Sequence, residues 1–265
     1  MSTTLIWRRP PALALAVRAV VVAGVLVVTS GPAFAESAAA QIDFGAAGKK
    51  EEAGWAGAVA FGYSQRSGNS ENAAVSGEFN WSYQTQGQWL YDGRFFAMGK
   101  TESNVTTDER YAASAAAKWF INDVSYLAGR GVFHQDNFAG VRKEYLGTAG
   151  YGRILFETDR QNLTAEGGGG IRNSEQQDGS SDTNPIAYGG LKYALKLSEN
   201  ADFGQLVTME YGSDNTVLSS LTELRAGILG AIAGKATFEI RRNSSVSADT
   251  DKTDYFTVVG LEYKF

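Results

Sequence analysis

The sequence predicts an all-β fold, a transmembrane antiparallel barrel of about twelve strands following a cleaved signal peptide, and three observations predict it. The first is the run Tyr255, Thr257, Val259, Leu261, Tyr263 and Phe265, which repeats every second residue and stops on an aromatic. The last strand of a barrel must pair with the first and present only one face to lipid, so Tyr263 and Phe265 read as the C-terminal barrel signal. The second is a secretory leader. Arg8, Arg9 and Arg18 precede or flank a compact apolar stretch from Ala19 to Val28, and Pro32-Ala33-Phe34-Ala35 offers small residues for cleavage after Ala35. That stretch is shorter than the roughly 20 residues a spanning helix needs. The third is an even number of alternating segments joined by turns of alternating character.

Taken in order, residues 1–35 are the signal peptide and 36–52 an Ala-rich polar lead-in on the periplasmic side, with Lys49, Lys50, Glu51 and Glu52. The barrel occupies 53–265. In its first strand Trp55, Val59, Phe61 and Tyr63 alternate with Ala56, Ala58, Ala60 and Ser64; in the second Val75, Phe79, Trp81 and Tyr83 alternate with Ser76, Glu78, Asn80 and Ser82. Period two with one apolar face is a strand signature, shared by barrels and soluble sandwiches. The spacing predicts strands near 53–65, 71–83, 88–99, 109–120, 124–134, 144–156, 161–172, 185–197, 202–211, 220–230, 235–242 and 254–265. The connections after the even-numbered strands read as tight, and those after the odd-numbered strands, from the third onward, as longer and polar, which is the outer-membrane pattern with both termini in the periplasm. Trp55, Trp81, Trp89 and Trp119 all fall at the tight-turn ends and read as a periplasmic aromatic girdle. Gly167 to Gly170 lack a following helix pattern, so they read as close packing or bending and not as a phosphate cradle.

Composition narrows the function classes. The chain carries 24 Lys+Arg against 29 Asp+Glu, a net charge of −5, which falls to −8 once the three leader arginines are removed. An acidic chain is a poor general nucleic-acid binder. There is no cysteine, so neither disulfides nor thiolate metal sites arise, and no cofactor or metal motif is present.

Several short motifs are similar to those of a known family. They are Gly62-Tyr63-Ser64 followed by Ser67-Gly68-Asn69, then Trp119-Phe120, Phe138-Ala139-Gly140, Leu146-Gly147 with Gly150-Tyr151-Gly152, and Val259-Gly260-Leu261 with Phe265. Across about residues 53–265 the chain resembles the bacterial salt-induced outer-membrane protein family, a YdiY-like domain of unknown function. The resemblance implies a Gram-negative outer-membrane barrel and a connection to salt or envelope stress; it implies no biochemical activity.

Function must then reside on inward positions. The alternation places Arg94, Arg110, Arg130, Arg172 and Arg225 with Glu78, Glu166 and Glu223 toward the lumen. One reading is a porin-like channel, passive and slightly favouring small polar or anionic solutes. The alternative is a structural envelope barrel whose charges pair and fill a narrow lumen, since twelve strands lie between the filled eight-stranded barrel and the open sixteen-stranded porin. A third class is a hydrolase at the outer rim. Its requirements fall on His134, the single histidine, beside Asp136; a lone rim histidine is ordinarily only solvated, so the chain is read as no enzyme. The expected partners are outer-membrane lipid, lipopolysaccharide and the barrel-assembly machinery, with the barrel a monomer.

Overall fold

A computed structural model of the chain describes residues 53–66, 72–102, 105–138, 141–213, 215–245 and 252–265. Residues 1–35 and 36–52, read from the sequence as signal peptide and lead-in, residues 67–70 and the motif residues Ala139 and Gly140 lie outside the described residues.

Twelve strands run in chain order: β1 Gly54–Arg66, β2 Asn72–Gln84, β3 Trp89–Glu102, β4 Val105–Asn122, β5 Ser125–Asp136, β6 Val141–Glu157, β7 Gln161–Gln176, β8 Ser181–Ser198, β9 Ala201–Gly212, β10 Thr216–Leu229, β11 Ile232–Asn243 and β12 Thr253–Lys264. Each pairs antiparallel with its sequence neighbours, and β1 pairs with β12 to close the barrel. Closure removes the sheet edges that an open sandwich would leave.

The alternation decides which face is which. Phe61, Phe95, Leu224, Val259 and Leu261 point outward and are exposed, while their neighbours Ala60, Arg94, Glu223 and Glu262 point inward. An apolar outer wall encircling the molecule far exceeds the few hundred Å² of patch that a water-soluble monomer carries, and it is what a bilayer requires. The soluble-sandwich alternative is therefore excluded by direction as well as by closure. Trp55, Trp81, Trp89 and Trp119 sit on this outer face beside the turns 85–88 and 123–124 or beside the start of β1. Trp55 packs on Trp81 at 5.8 Å and on Tyr83 at 4.7 Å between ring centroids.

The outer connections differ from expectation. Segments read as long polar loops are mostly ladder: β3 runs to Glu102 and β4 begins at Val105, and β7 runs to Gln176 and β8 begins at Ser181, with a turn at 177–180. Hydrophobic alternation stops where lipid stops, whereas backbone pairing continues into water, so a pattern-based boundary falls short of the hydrogen-bonded one. Among the outer connections, 244–252 remains long.

Among the described residues, the register between β1 and β12 runs from Ala58↔Lys264 to Gly62↔Gly260, continued by Gly57 and Phe265, whose backbone N–H groups each donate to the other's carbonyl at 2.9 Å. β1 pairs with β2 along its whole length, from Gly54↔Gln84 to Arg66↔Asn72.

Candidate functional site in the lumen

The inward side chains form ion pairs and apolar clusters that fill the outer part of the lumen. Toward the outer end, Arg110 of β4 donates to Asp108 at 2.9 Å and lies 2.9 Å from Asp136 of β5. On the neighbouring strands Arg172 of β7 bridges Glu210 of β9 and reaches Glu144 of β6 at 3.5 Å. Water scarcely touches these groups: Arg110 is 3%, Asp136 1%, Arg172 2% and Glu210 1% exposed. Buried ions persist only when paired, and each arginine here carries two carboxylates.

Apolar side chains continue the seal. Val132, Leu146, Ile186, Tyr188, Leu206 and Leu221, from five strands, form one buried cluster. Phe96, Met98 and Ala112 form another, with Val258 of β12 packed against it. Polar alternation would have placed small hydrophilic groups at these positions; the apolar ones pack across the lumen and exclude water from it.

Nearer the tight turns, Glu166 of β7 is enclosed. Arg130 of β5 donates to it at 2.9 Å, Tyr126 at 2.9 Å and Tyr188 at 3.0 Å. The two phenols reach Glu166 because β6 leaves them room. A Cβ at Gly152 would fall 2.1 Å from the Tyr126 ring, and one at Gly150 would fall 2.3 Å from the Tyr188 hydroxyl. Gly168 of β7 is also a close approach, since its Cβ would meet the Ala149 carbonyl oxygen at 2.2 Å. The β6 glycines thus admit buried tyrosines, and the β7 glycine run admits a close backbone. Lys118, 1% exposed, lies 3.6 Å from Asp92 and 5.3 Å from the Tyr126 ring centroid.

A third network crosses the barrel beside the seam. Lys235 of β11 sits 2.8 Å from Glu78, 3.1 Å from Glu223 and 3.8 Å from Glu262; Arg225 bridges Glu223 at 3.1 Å and Glu262 at 3.2 Å; Arg94 reaches Glu78 at 3.2 Å. Below these groups a cavity of about 690 Å³ opens at the tight-turn end, lined among others by Arg94, Arg130, Lys192, Arg225 and Glu262.

The structure thus brings Glu78, Arg94, Glu223 and Arg225 into one network and Arg130 with Glu166 into another, and sets Arg110 and Arg172 apart in the outer pairs. Sequence reasoning missed Lys235, Asp108, Tyr126 and Tyr188. Lys235 shares the parity of Glu239 and Arg241 on β11, and that signal could have found it. The tyrosines carried none, because Tyr is as common on a lipid-facing girdle. His134 is not a solvated rim residue: it is inward and 6% exposed, opposite Ala112 and Glu144 in the ladders. Its neighbour Asp136 is engaged by Arg110, and no cluster of three metal-ligating side chains occurs among the described residues.

A family model described as protein of unknown function, DUF481, matches residues 59–265. The uncharacterized protein YdiY of Escherichia coli (strain K12) is 28% identical over 205 residues, spanning 76% of this chain and 80% of YdiY. Among solved structures, the NanC porin aligns with a TM-score of 0.51 at 10% identity, over 78% of this chain and 100% of NanC. The translocator domain of the autotransporter NalP from Neisseria meningitidis aligns with a TM-score of 0.47 at 14% identity, over 80% of this chain and 87% of that domain. The likeness to NanC is one of architecture, an outer-membrane type of barrel, and architecture does not by itself carry an activity.

Proposed function

We propose that this chain, which belongs to the DUF481 family, resides in the outer membrane as a monomeric barrel that closes its own lumen and serves the envelope structurally, without catalysis or a cofactor. The observation that carries this reading is the burial of the outer ion pairs. Arg110 with Asp108 and Asp136, and Arg172 with Glu144 and Glu210, leave hardly any water-accessible surface on the arginines. A conducting lumen keeps its charged groups wet, because a permeating ion must exchange hydration for them. Contact with lipid and lipopolysaccharide, and passage through the barrel-assembly machinery, follow from the apolar outer wall and the terminal aromatic strand. The connection to salt or envelope stress rests on the family resemblance.

The test is single-channel recording across a planar bilayer in a KCl gradient, with protein expressed as the full chain and purified from the cell envelope. A heat-modifiable barrel that gives no discrete steps supports closure; regular steps from the unmodified protein overturn it. The cavity of about 690 Å³ favours a second reading, passage of small anionic solutes once the outer pairs part. On that reading steps are present and biased toward anions, and replacing Arg94 and Arg225 with Glu shifts the reversal potential toward cations.

A further inference from the structure

The cavity at the tight-turn end lies to one side of the barrel. Along β3 to β6, Leu90, Phe120, Tyr126 and Ile154 pack together and fill the lumen at that level. Along β8 and β9 the wall is bare, because Ala194 stands opposite Gly204 and the pair carries a single methyl between them.

Hydrogen-bond donors surround this bare patch. Alternation sets Lys192 and Lys196 on the same inward face of β8 as Ala194, one on each side of it. Directly across from Ala194 on β7 is Asn162. The Asn162 side-chain oxygen accepts the Thr164 hydroxyl at 3.0 Å, while its amide nitrogen is buried with no hydrogen-bond partner. Asn162, Lys192, Ala194 and Lys196 all line the cavity. A buried donor left unmade is costly, so the position suits an acceptor that the protein itself does not supply.

The electrostatics favour an acceptor with a negative charge. Basic and acidic side chains line the cavity in equal number, but they are unevenly placed. On the seam side Glu78, Glu223 and Glu262 are taken by Arg94, Arg225 and Lys235. At the mouth, Glu157, Asp159 and Arg160 stand on the exposed β6–β7 turn, and Asp202 lies opposite Lys196 in register and 3.6 Å from Lys264. Deeper in, Lys118 is within electrostatic reach of both Arg130 and Lys192, and the carboxylates among them are Asp92 and Glu166, three cations to two anions. In a cleft with low-dielectric walls such an excess draws an anion inward.

We propose that the bay over Ala194 and Gly204 binds the carboxylate of a small organic acid, with Lys192 and Lys196 on either side of it and the Asn162 amide donating to one oxygen. Two carboxylate oxygens accept from an amide and an ammonium at once. The uncharged remainder of the acid lies in the cavity of about 690 Å³, among Ala58, Ser114 and Ala116. The bay is reached from the tight-turn end, so binding there does not depend on whether the outer barrier conducts.

The full chain, purified from envelopes in detergent, is titrated calorimetrically with sodium gluconate. Saturable one-to-one binding is expected, and glucose, which has the size and the hydroxyls without the charge, gives none. Asn162→Asp keeps the oxygen that accepts the Thr164 hydroxyl and exchanges the donor for a negative charge; Lys192→Gln removes one cation. Each weakens gluconate about tenfold or more, while Arg242→Gln, at the outer end of β11, leaves it unchanged. No saturable heat from gluconate overturns the proposal, as does an affinity that Asn162→Asp and Lys192→Gln both leave untouched. Inorganic phosphate that binds as tightly and is lost in the same variants overturns the assignment to a carboxylate. If Lys192→Gln does not yield a heat-modifiable barrel, Lys196→Gln reports on the same bay and is read identically.

Discussion

At the scale of single residues, the lumen is organised around carboxylates that cannot be left alone. Glu166 receives Arg130, Tyr126 and Tyr188 and is itself 4% exposed. Glu166→Ala leaves the Arg130 guanidinium buried beside a void, and breaking a buried pair from one side costs about 3–5 kcal/mol. Tyr126→Phe removes one of three donors and is expected to cost only about 1–3 kcal/mol. Urea unfolding of the purified barrel, followed by the heat-dependent gel shift, orders the two variants; equal midpoints would show that Glu166 is not the centre of the network. Glycines separate the same way. Gly152→Ala drives a methyl into the Tyr126 ring, where nothing rigid can yield cheaply, so the folded fraction falls. Gly129→Ala, whose Cβ meets nothing within 4 Å, is neutral or slightly stabilising, because it lowers the entropy of the unfolded chain.

At the scale of elements, the seam with β1 makes β12 the strand on which closure depends. Phe265 exchanges backbone hydrogen bonds with Gly57, and a Cβ on Gly57 would come 2.6 Å from the Phe265 ring, so the ring lies directly over that glycine. Deleting Phe265 removes both hydrogen bonds and the ring from the end of that ladder. The folded, heat-shifting fraction recovered from envelopes is expected to drop sharply. Shortening the outer ends of β7 and β8 by removing the paired Asn173–Ser174 and Asp182–Thr183, with the turn at 177–180 kept, should leave that fraction nearly unchanged, because those residues stand beyond the alternating apolar segment. The strands themselves were legible in the sequence to within a few residues at the tight-turn ends, where Trp and Tyr mark the boundary. They were least legible at the outer ends, since a polar strand in water and a polar loop have the same composition.

At the scale of the whole molecule, closure is set by two barriers in series, the outer ion pairs and the apolar clusters beneath them. Charge removal alone should therefore not open a pore. Arg110→Ala with Arg172→Ala is expected to lower stability without producing channel steps, whereas adding Leu146→Gly and Leu206→Gly removes apolar bulk as well and should yield them. Planar-bilayer recording of both variants checks this; steps from the double variant alone would place the whole barrier in the ion pairs.

By itself, the sequence determined the class of fold and twelve alternating segments, and it carried the direction of charges such as Arg130 and Glu166, because in a strand direction follows from parity and parity is written in the chain. It could not determine what those inward groups meet. Whether Lys235 faces a solute or Glu78, and whether Leu221 meets water or shares a cluster with Val132, depends on how strands far apart in sequence are brought together around the closed barrel. The length of the β1–β12 seam is likewise a property of closure, set where the two ends of the sheet meet. Local pattern therefore specified the wall, and only the tertiary structure decided that the outer part of the space within it is filled.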